Sequence, residues 1–201
     1  MSYVANRHEG RPDAPLFLTF HGTGGTEDQF HSFARDLLPD AQVVSPRGDV
    51  SEGGALRFFR RTGEGIYDME DLARRTQTMA AFIAAEKART GANRTIGLGY
   101  SNGANILASV VLTNPELVDD VVLLHPLIPW DPKPQAGLSG RRILITAGRH
   151  DPICPPERTE ALARYLVSQG AETRLEWHSG GHEIRQEEIT AIAKALGPQT
   201  V

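Results

Sequence analysis

A chain of 201 residues with 40% apolar and 23% charged residues is long enough for one well-buried domain and short for two. Its net charge of −4 argues against nucleic acid as a main partner, since phosphate binding needs a basic surface. No apolar run reaches the length of a membrane span, the segment from Met1 to Arg11 lacks the apolar core of a signal peptide, and one cysteine, Cys154, excludes an internal disulfide, so a cytoplasmic protein without a membrane partner is expected.

Residues 16–20 form a short apolar run that ends at His21-Gly22 and predict a buried strand. Residues 27–38 carry Phe30, Phe33, Ala34, Leu37 and Leu38 at helical spacing, and Pro39 closes the helix. Residues 42–45 predict a second strand. Periodicity then fails over residues 47–67, which read as a long loop. A helix is expected over 70–89, with Gly91 beyond its end, then a strand over 95–98 and a helix over 102–113. Further strands are expected at 121–124, 142–146 and 173–178, and helices at 156–168 and 183–196, with a proline-rich loop at 126–134. Apolar strands alternating with helices imply an α/β fold: a mostly parallel sheet covered on both faces, in a single domain over residues 1–201. No internal repeat, low-complexity tract or linker interrupts it.

In an open parallel sheet, ligands bind beyond the carboxyl ends of the strands. His21 and Gly22, Ser101, Asp151 and His182 all fall at such ends. Ser101 lies in Gly99-Tyr100-Ser101-Asn102-Gly103, between a strand and a helix. That corner is so tight that the residues two before and two after the serine must be small, and the turn lifts the hydroxyl over the helix N-terminus. Five residues alone carry little weight, because a chain this long shows the pattern by chance about once in fifteen.

A serine hydroxyl needs a base to take its proton, and the base needs an acid to fix its tautomer and support its charge. His182, in the flexible stretch Ser179-Gly180-Gly181-His182-Glu183, is the expected base, and Asp151, in a turn locked by prolines, the expected acid. The chain order Ser, Asp, His fits an α/β-hydrolase. His178 reads as structural, His125 as a residue that lines the site, and His150 precedes the acid. Asp119 and Asp120 start a strand at the wrong edge, and Asp131 sits on a lining loop. His178 and His182 are spaced as a metal pair, with Glu183 beside the second, but such a pair must ride one helical face, and Gly180 and Gly181 disfavour helix, so no metal is expected.

Negative charge on an attacked carbonyl oxygen calls for backbone N–H donors. Asn102, after the nucleophile, supplies one, and Thr23 in His21-Gly22-Thr23-Gly24-Gly25 the other. No Gly-Lys-Ser/Thr follows these glycines, so a phosphate loop is disfavoured. Phe58, Phe59, Ile66, Tyr67, Leu127, Ile128 and Trp130 lie on the two irregular stretches and either line a substrate pocket or pack the loops. Arg57, Arg60 and Arg61 form a basic cluster that reads as a solvated face or as a contact for an anionic substrate. Arg47-Gly48-Asp49 reads as a chance tripeptide, and Cys154 as buried packing.

Through His21 to Gly25, Gly99 to Gly103, Gly148-Arg149-His150-Asp151-Pro152 and Gly181-His182-Glu183, the chain resembles the α/β-hydrolase superfamily. Within it, the chain resembles the small phospholipase/carboxylesterase family related to dienelactone hydrolases. Pro46-Arg47-Gly48 and residues 57–61 resemble a bacterial branch linked to quinone stress. The resemblance implies serine-dependent hydrolysis of small carboxylic esters without a cofactor, a fold without a large lid domain and, for many members, a homodimer. Many relatives have Gln where this chain has Asn102. Dienelactone hydrolases proper have Cys where it has Ser101, a difference that points to plain ester hydrolysis. The same residues would serve a thioesterase or lactonase, and a ligand-binding protein on a hydrolase scaffold is the reading from another class.

Overall fold

The computed structural model describes residues 3–197. β1 (Ala5–His8) runs antiparallel to β3 (Gln42–Pro46) at one edge of a seven-stranded sheet, and the other strands are parallel. They are β2 (Leu16–Phe20), β8 (Thr95–Tyr100), β9 (Asp120–Leu124), β10 (Arg142–Gly148) and β11 (Glu172–His178), in the spatial order β1-β3-β2-β8-β9-β10-β11. The chain goes from β2 outward to β3, then returns to lay β8 on the other side of β2. That reversal opens a crevice at the carboxyl ends of β2 and β8.

Side chains alternate across each strand, and two apolar clusters result. On one face Leu16, Leu18, Phe20, Leu123 and Ile145 pack against α2 (Met69–Thr90), α3 (Asn102–Thr113) and α4 (Pro156–Ser168). On the other, Phe17, Val43, Leu98 and Val122 pack against α1 (His31–Leu37) and α5 (Gln186–Leu196). This is the expected doubly covered sheet, and among the described residues no lid domain lies over it. Among the described residues no helix is long and apolar enough to cross a membrane.

Four details depart from expectation. β1 is a polar edge strand with little apolar pattern to reveal it. α1 starts at His31 rather than residue 27, because Glu27 pairs with Arg47 and Gln29 accepts the Gly22 N–H, drawing this turn onto the loop after β2. Residues 47–67 are not a plain loop but two small hairpins, β4 (Val50–Glu52) with β5 (Ala55–Arg57), and β6 (Arg61–Gly63) with β7 (Ile66–Tyr67). α5 starts at Gln186 rather than residue 183, since the Glu188 carboxylate accepts the Arg185 N–H at 2.7 Å and fixes the helix start there.

Candidate active site

Ser101 has φ 52 and ψ −116, at the corner between β8 and α3. A Cβ on Gly99 would meet Gly103 O at 2.5 Å, and one on Gly103 would meet Phe20 O at 2.3 Å, so only glycine fits at either side of the corner. The Ser101 N–H donates to Leu124 O, and its carbonyl accepts the Asn105 N–H, so the elbow is tied to both β9 and α3. The hydroxyl is 2.8 Å from His182 Nε2. His182 Nδ1 is 2.7 Å from Asp151 Oδ2. Three residues widely separated in sequence thus form one hydrogen-bonded line.

Asp151 is held from all sides. Burial alone would raise its pKa, but hydrogen bonds from His125 and His182 and from the Cys154 and Ile153 N–H groups outweigh burial and hold the carboxyl well below the usual carboxylate range. Tyr100 fixes His182 from another side: its hydroxyl donates to His182 O at 2.7 Å, and its ring lies 5.5 Å from the imidazole. Cys154 is buried, with its thiol on His125 O, and burial followed by the nearby Asp151 charge pushes its pKa up, which suits packing rather than attack.

Thr23 and Asn102 border the cavity into which Ser101 opens. Among the described residues neither backbone N–H has a protein acceptor, so both are open to a ligand. The loop carrying Thr23 is braced by His21. Its Nδ1 donates to Gly22 O at 2.7 Å, while Nε2 accepts the Gly48 N–H at 2.9 Å, which fixes a neutral ring; burial lowers its pKa accordingly. Arg57 donates to the Thr23 hydroxyl at 2.7 Å.

The cavity measures about 270 Å³, and its walls include Arg57, Arg61, Tyr67, Asn105, Leu127 and Ile153. Of the seven candidate pocket residues only Tyr67 and Leu127 reach it. Phe58 and Phe59 are fully buried behind the wall: Phe58 packs on Phe20 and His21, and Phe59 on Tyr67. Ile128 and Trp130 border a separate cavity of about 130 Å³ with Leu162 and Tyr165, and Asp131 lies there too. Ile66 is exposed, whereas Tyr67 does line the site. Arg60 turns away to Asp68 and Asp71. A groove of about 380 Å³ at the opposite edge of the sheet, along Val122, Leu144 and Leu196, offers no nucleophile beside a base.

Asn105 was missed at the sequence level. Its Nδ2 donates to Tyr67 Oη and its Oδ1 accepts the Leu127 N–H, both at 2.7 Å, so it ties the two walls together. The signal was an amide one helical turn after Ser101 in an otherwise apolar helix. The rival residues lie elsewhere. Asp119 and Asp120 pair with Arg141, Arg94 and Arg142 at the amino ends of the strands. His150 is exposed, its Nδ1 on Ser179 O. His125 does not line the site as expected: it is fully buried behind Asp151, with Glu188 and His178 beyond it. His178 and His182 are not paired on a helix; residues 179–185 between β11 and α5 are irregular.

A family model described as the dienelactone hydrolase family matches residues 60–193. The hydrolase MhqD of Bacillus subtilis (strain 168) is 40% identical over 175 residues, covering 86% of this chain and 88% of its own. Among solved structures, the protein Atu2452 of unknown function from Agrobacterium tumefaciens is 54% identical, with TM-score 0.90 over 96% of this chain and 94% of the other. The Bacillus cereus carboxylesterase is 34% identical, also with TM-score 0.90, over 96% of this chain and 92% of the other. With this fold and these relatives, the chain belongs to the dienelactone hydrolase family and is a hydrolase of the α/β-hydrolase type.

Proposed function

We propose that the protein is a serine carboxylesterase acting on small esters through an acyl-enzyme on Ser101. The observation that carries this reading is the unbroken line from Ser101 Oγ to His182 at 2.8 Å and from His182 to Asp151 at 2.7 Å, opening on a cavity with two unengaged N–H groups. The likeness to the Bacillus cereus carboxylesterase supports an ester as the bond cleaved.

Ser101 Oγ attacks the ester carbonyl carbon as its proton moves to His182 Nε2. Asp151 accepts the His182 Nδ1–H and supports the imidazolium charge. The carbonyl oxygen, now anionic, takes hydrogen bonds from the Thr23 and Asn102 N–H groups. Each such donor is worth about 3–4 kcal/mol to the barrier. Collapse expels the alcohol, which takes the proton from His182. Water then repeats the sequence on the acyl-enzyme and releases the acid. The cavity of about 270 Å³ and its polar walls favour short acyl groups.

Replacing Ser101 by Ala should cut kcat on p-nitrophenyl acetate by about four to six orders of magnitude, and abolish labelling by a fluorophosphonate. Turnover near that of the wild type in a folded S101A protein would overturn the assignment.

A further inference from the structure

His125 and Glu188 are buried, ionisable and unused by the chemistry proposed above. His125 follows β9 directly with φ 51, so Ser101 and the residue behind Asp151 are both non-glycine residues with positive φ. Its Nδ1 is 2.9 Å from Asp151 Oδ2, the oxygen that also faces His182. Its Nε2 is 3.1 Å from Glu188 Oε1. Glu188 already accepts from Thr146 Oγ1 at 2.5 Å and from the Arg185 N–H, contacts that suit a carboxylate.

The neighbouring histidine fixes the proton count. The Gly180 N–H donates to His178 Nδ1 at 3.0 Å, so that nitrogen carries a lone pair and the His178 proton is on Nε2. That Nε2 lies 3.3 Å from Glu188 Oε2 and 3.4 Å from His125 Nε2. The same proton argues against a metal here. His125, His178 and Glu188 converge closely enough to hold a cation, yet His178 directs an N–H at the point where a ligand lone pair would be needed. His125, meanwhile, has a carboxylate oxygen at each ring nitrogen. A bare Nδ1 would set lone pair against lone pair at 2.9 Å from Asp151 Oδ2. A bare Nε2 would do the same 3.1 Å from Glu188 Oε1, and for it to accept the His178 Nε2–H at 3.4 Å instead would take that proton from Glu188 Oε2, the nearer and charged acceptor. The other ionisable groups around it are His182, 5.1 Å away between ring centroids, Tyr100 at 5.8 Å, and the Cys154 thiol on its carbonyl.

We propose that His125 is a standing imidazolium, lodged between Asp151 and Glu188, that acts as a positioning residue for the Ser101 site. It holds the Asp151 carboxylate in the orientation that His182 needs. Burial alone would push the imidazolium down, but the hydrogen bonds to Asp151 and Glu188 outweigh it and raise its pKa to about 9. This role rests on the esterase reading; the charge state of His125 does not.

Nitrogen-15 NMR of histidine-labelled wild-type protein at pH 7.5 should find protons on both His125 ring nitrogens and on Nε2 alone in His178. A bare nitrogen on His125 overturns the proposal whatever the protein hydrolyses. In His125→Gln, kcat on p-nitrophenyl acetate should fall on the order of tenfold, with KM within about twofold. An unchanged kcat in folded H125Q, or a KM that rises as kcat falls, overturns the positioning role, and if H125Q fails to fold, the NMR result decides. Full turnover in S101A would instead defeat the esterase reading, leaving the His125 signals to be read by themselves.

Discussion

Arg57 is a guanidinium only 4% exposed, and what it touches explains why it is there. One arm donates to the Thr23 hydroxyl at 2.7 Å and Nε donates to Phe59 O at 3.2 Å, while the group lies 5.7 Å over the Phe59 ring. Its charge is balanced by Glu52, which it shares with Arg61. Burial lowers its pKa, the cost of keeping a cation here, and the tether on the Thr23 loop is the return. If the Thr23 N–H stabilises the oxyanion, a loop free to shift by a fraction of an ångström loses much of that stabilisation. Arg57→Ala should therefore lower kcat on the order of tenfold. Arg57→Lys should not restore it, because an ammonium cannot reach Thr23, Phe59 and Glu52 together as a planar fork does. Steady-state kinetics on both variants checks this, and full activity in R57K would show that charge alone matters.

The elbow between β8 and α3 is the element on which the site depends. Its strained serine costs about 1–3 kcal/mol, and that cost is met by the packing of α3 into the core, where Ile106, Leu107 and Val110 are fully buried. Gly103 lets α3 approach β2 so closely that any Cβ would strike the Phe20 and His21 carbonyls. Those atoms belong to a central strand and cannot move aside. Gly103→Ala should destabilise the fold by about 3 kcal/mol or more, read as a lowered urea midpoint, even though alanine is the better helix former. This strand–turn–helix unit was legible in sequence because its apolar run, its glycines and its helical periodicity all occur within one local stretch. The doubly wound sheet was legible for the same reason, strand by strand. The hairpins over residues 50–67 were not. Their strands have two or three residues, too short for a period, although Gly53-Gly54, with φ 56 and 91, carried the signature of a two-residue turn. Pocket walls were legible only in part, since Phe58, Phe59 and Trp130 look alike in sequence whether they face a ligand or the core. His125 and Glu188 escaped because a buried ion pair across the sheet leaves no local pattern.

Across the whole molecule, the buried histidines set opposing limits on stability. His21 and His31 are held neutral, their pKa values lowered mainly by burial. Each prefers the unfolded chain once the pH drops below about 6.5, where the unfolded imidazole gains a proton that the folded one does not. The carboxylates of Asp151, Asp120 and Glu188, depressed by their partners, contribute stability above their unfolded range and lose it as pH falls below about 4. His125 works in the other direction. Its folded pKa of about 9 lies above the unfolded value, so its contribution is complete below about pH 6.5 and is lost as pH rises through 9. By linkage that contribution is worth about 3 kcal/mol. The urea midpoint should therefore peak near neutrality, between about pH 6 and 7, fall on the acid side through His21 and His31, and fall on the alkaline side through His125. His125→Gln should be less stable than the wild type at pH 6.5, yet its midpoint should be nearly flat from pH 7 to 8.5, because the group that titrates in that range is gone. His31→Gln should flatten the acid side instead, leaving the alkaline decline intact. A wild-type midpoint that stays flat between pH 7 and 8.5 would mean that His125 folds as a neutral ring, and the pair it forms with Asp151 and Glu188 would then add nothing that depends on its charge.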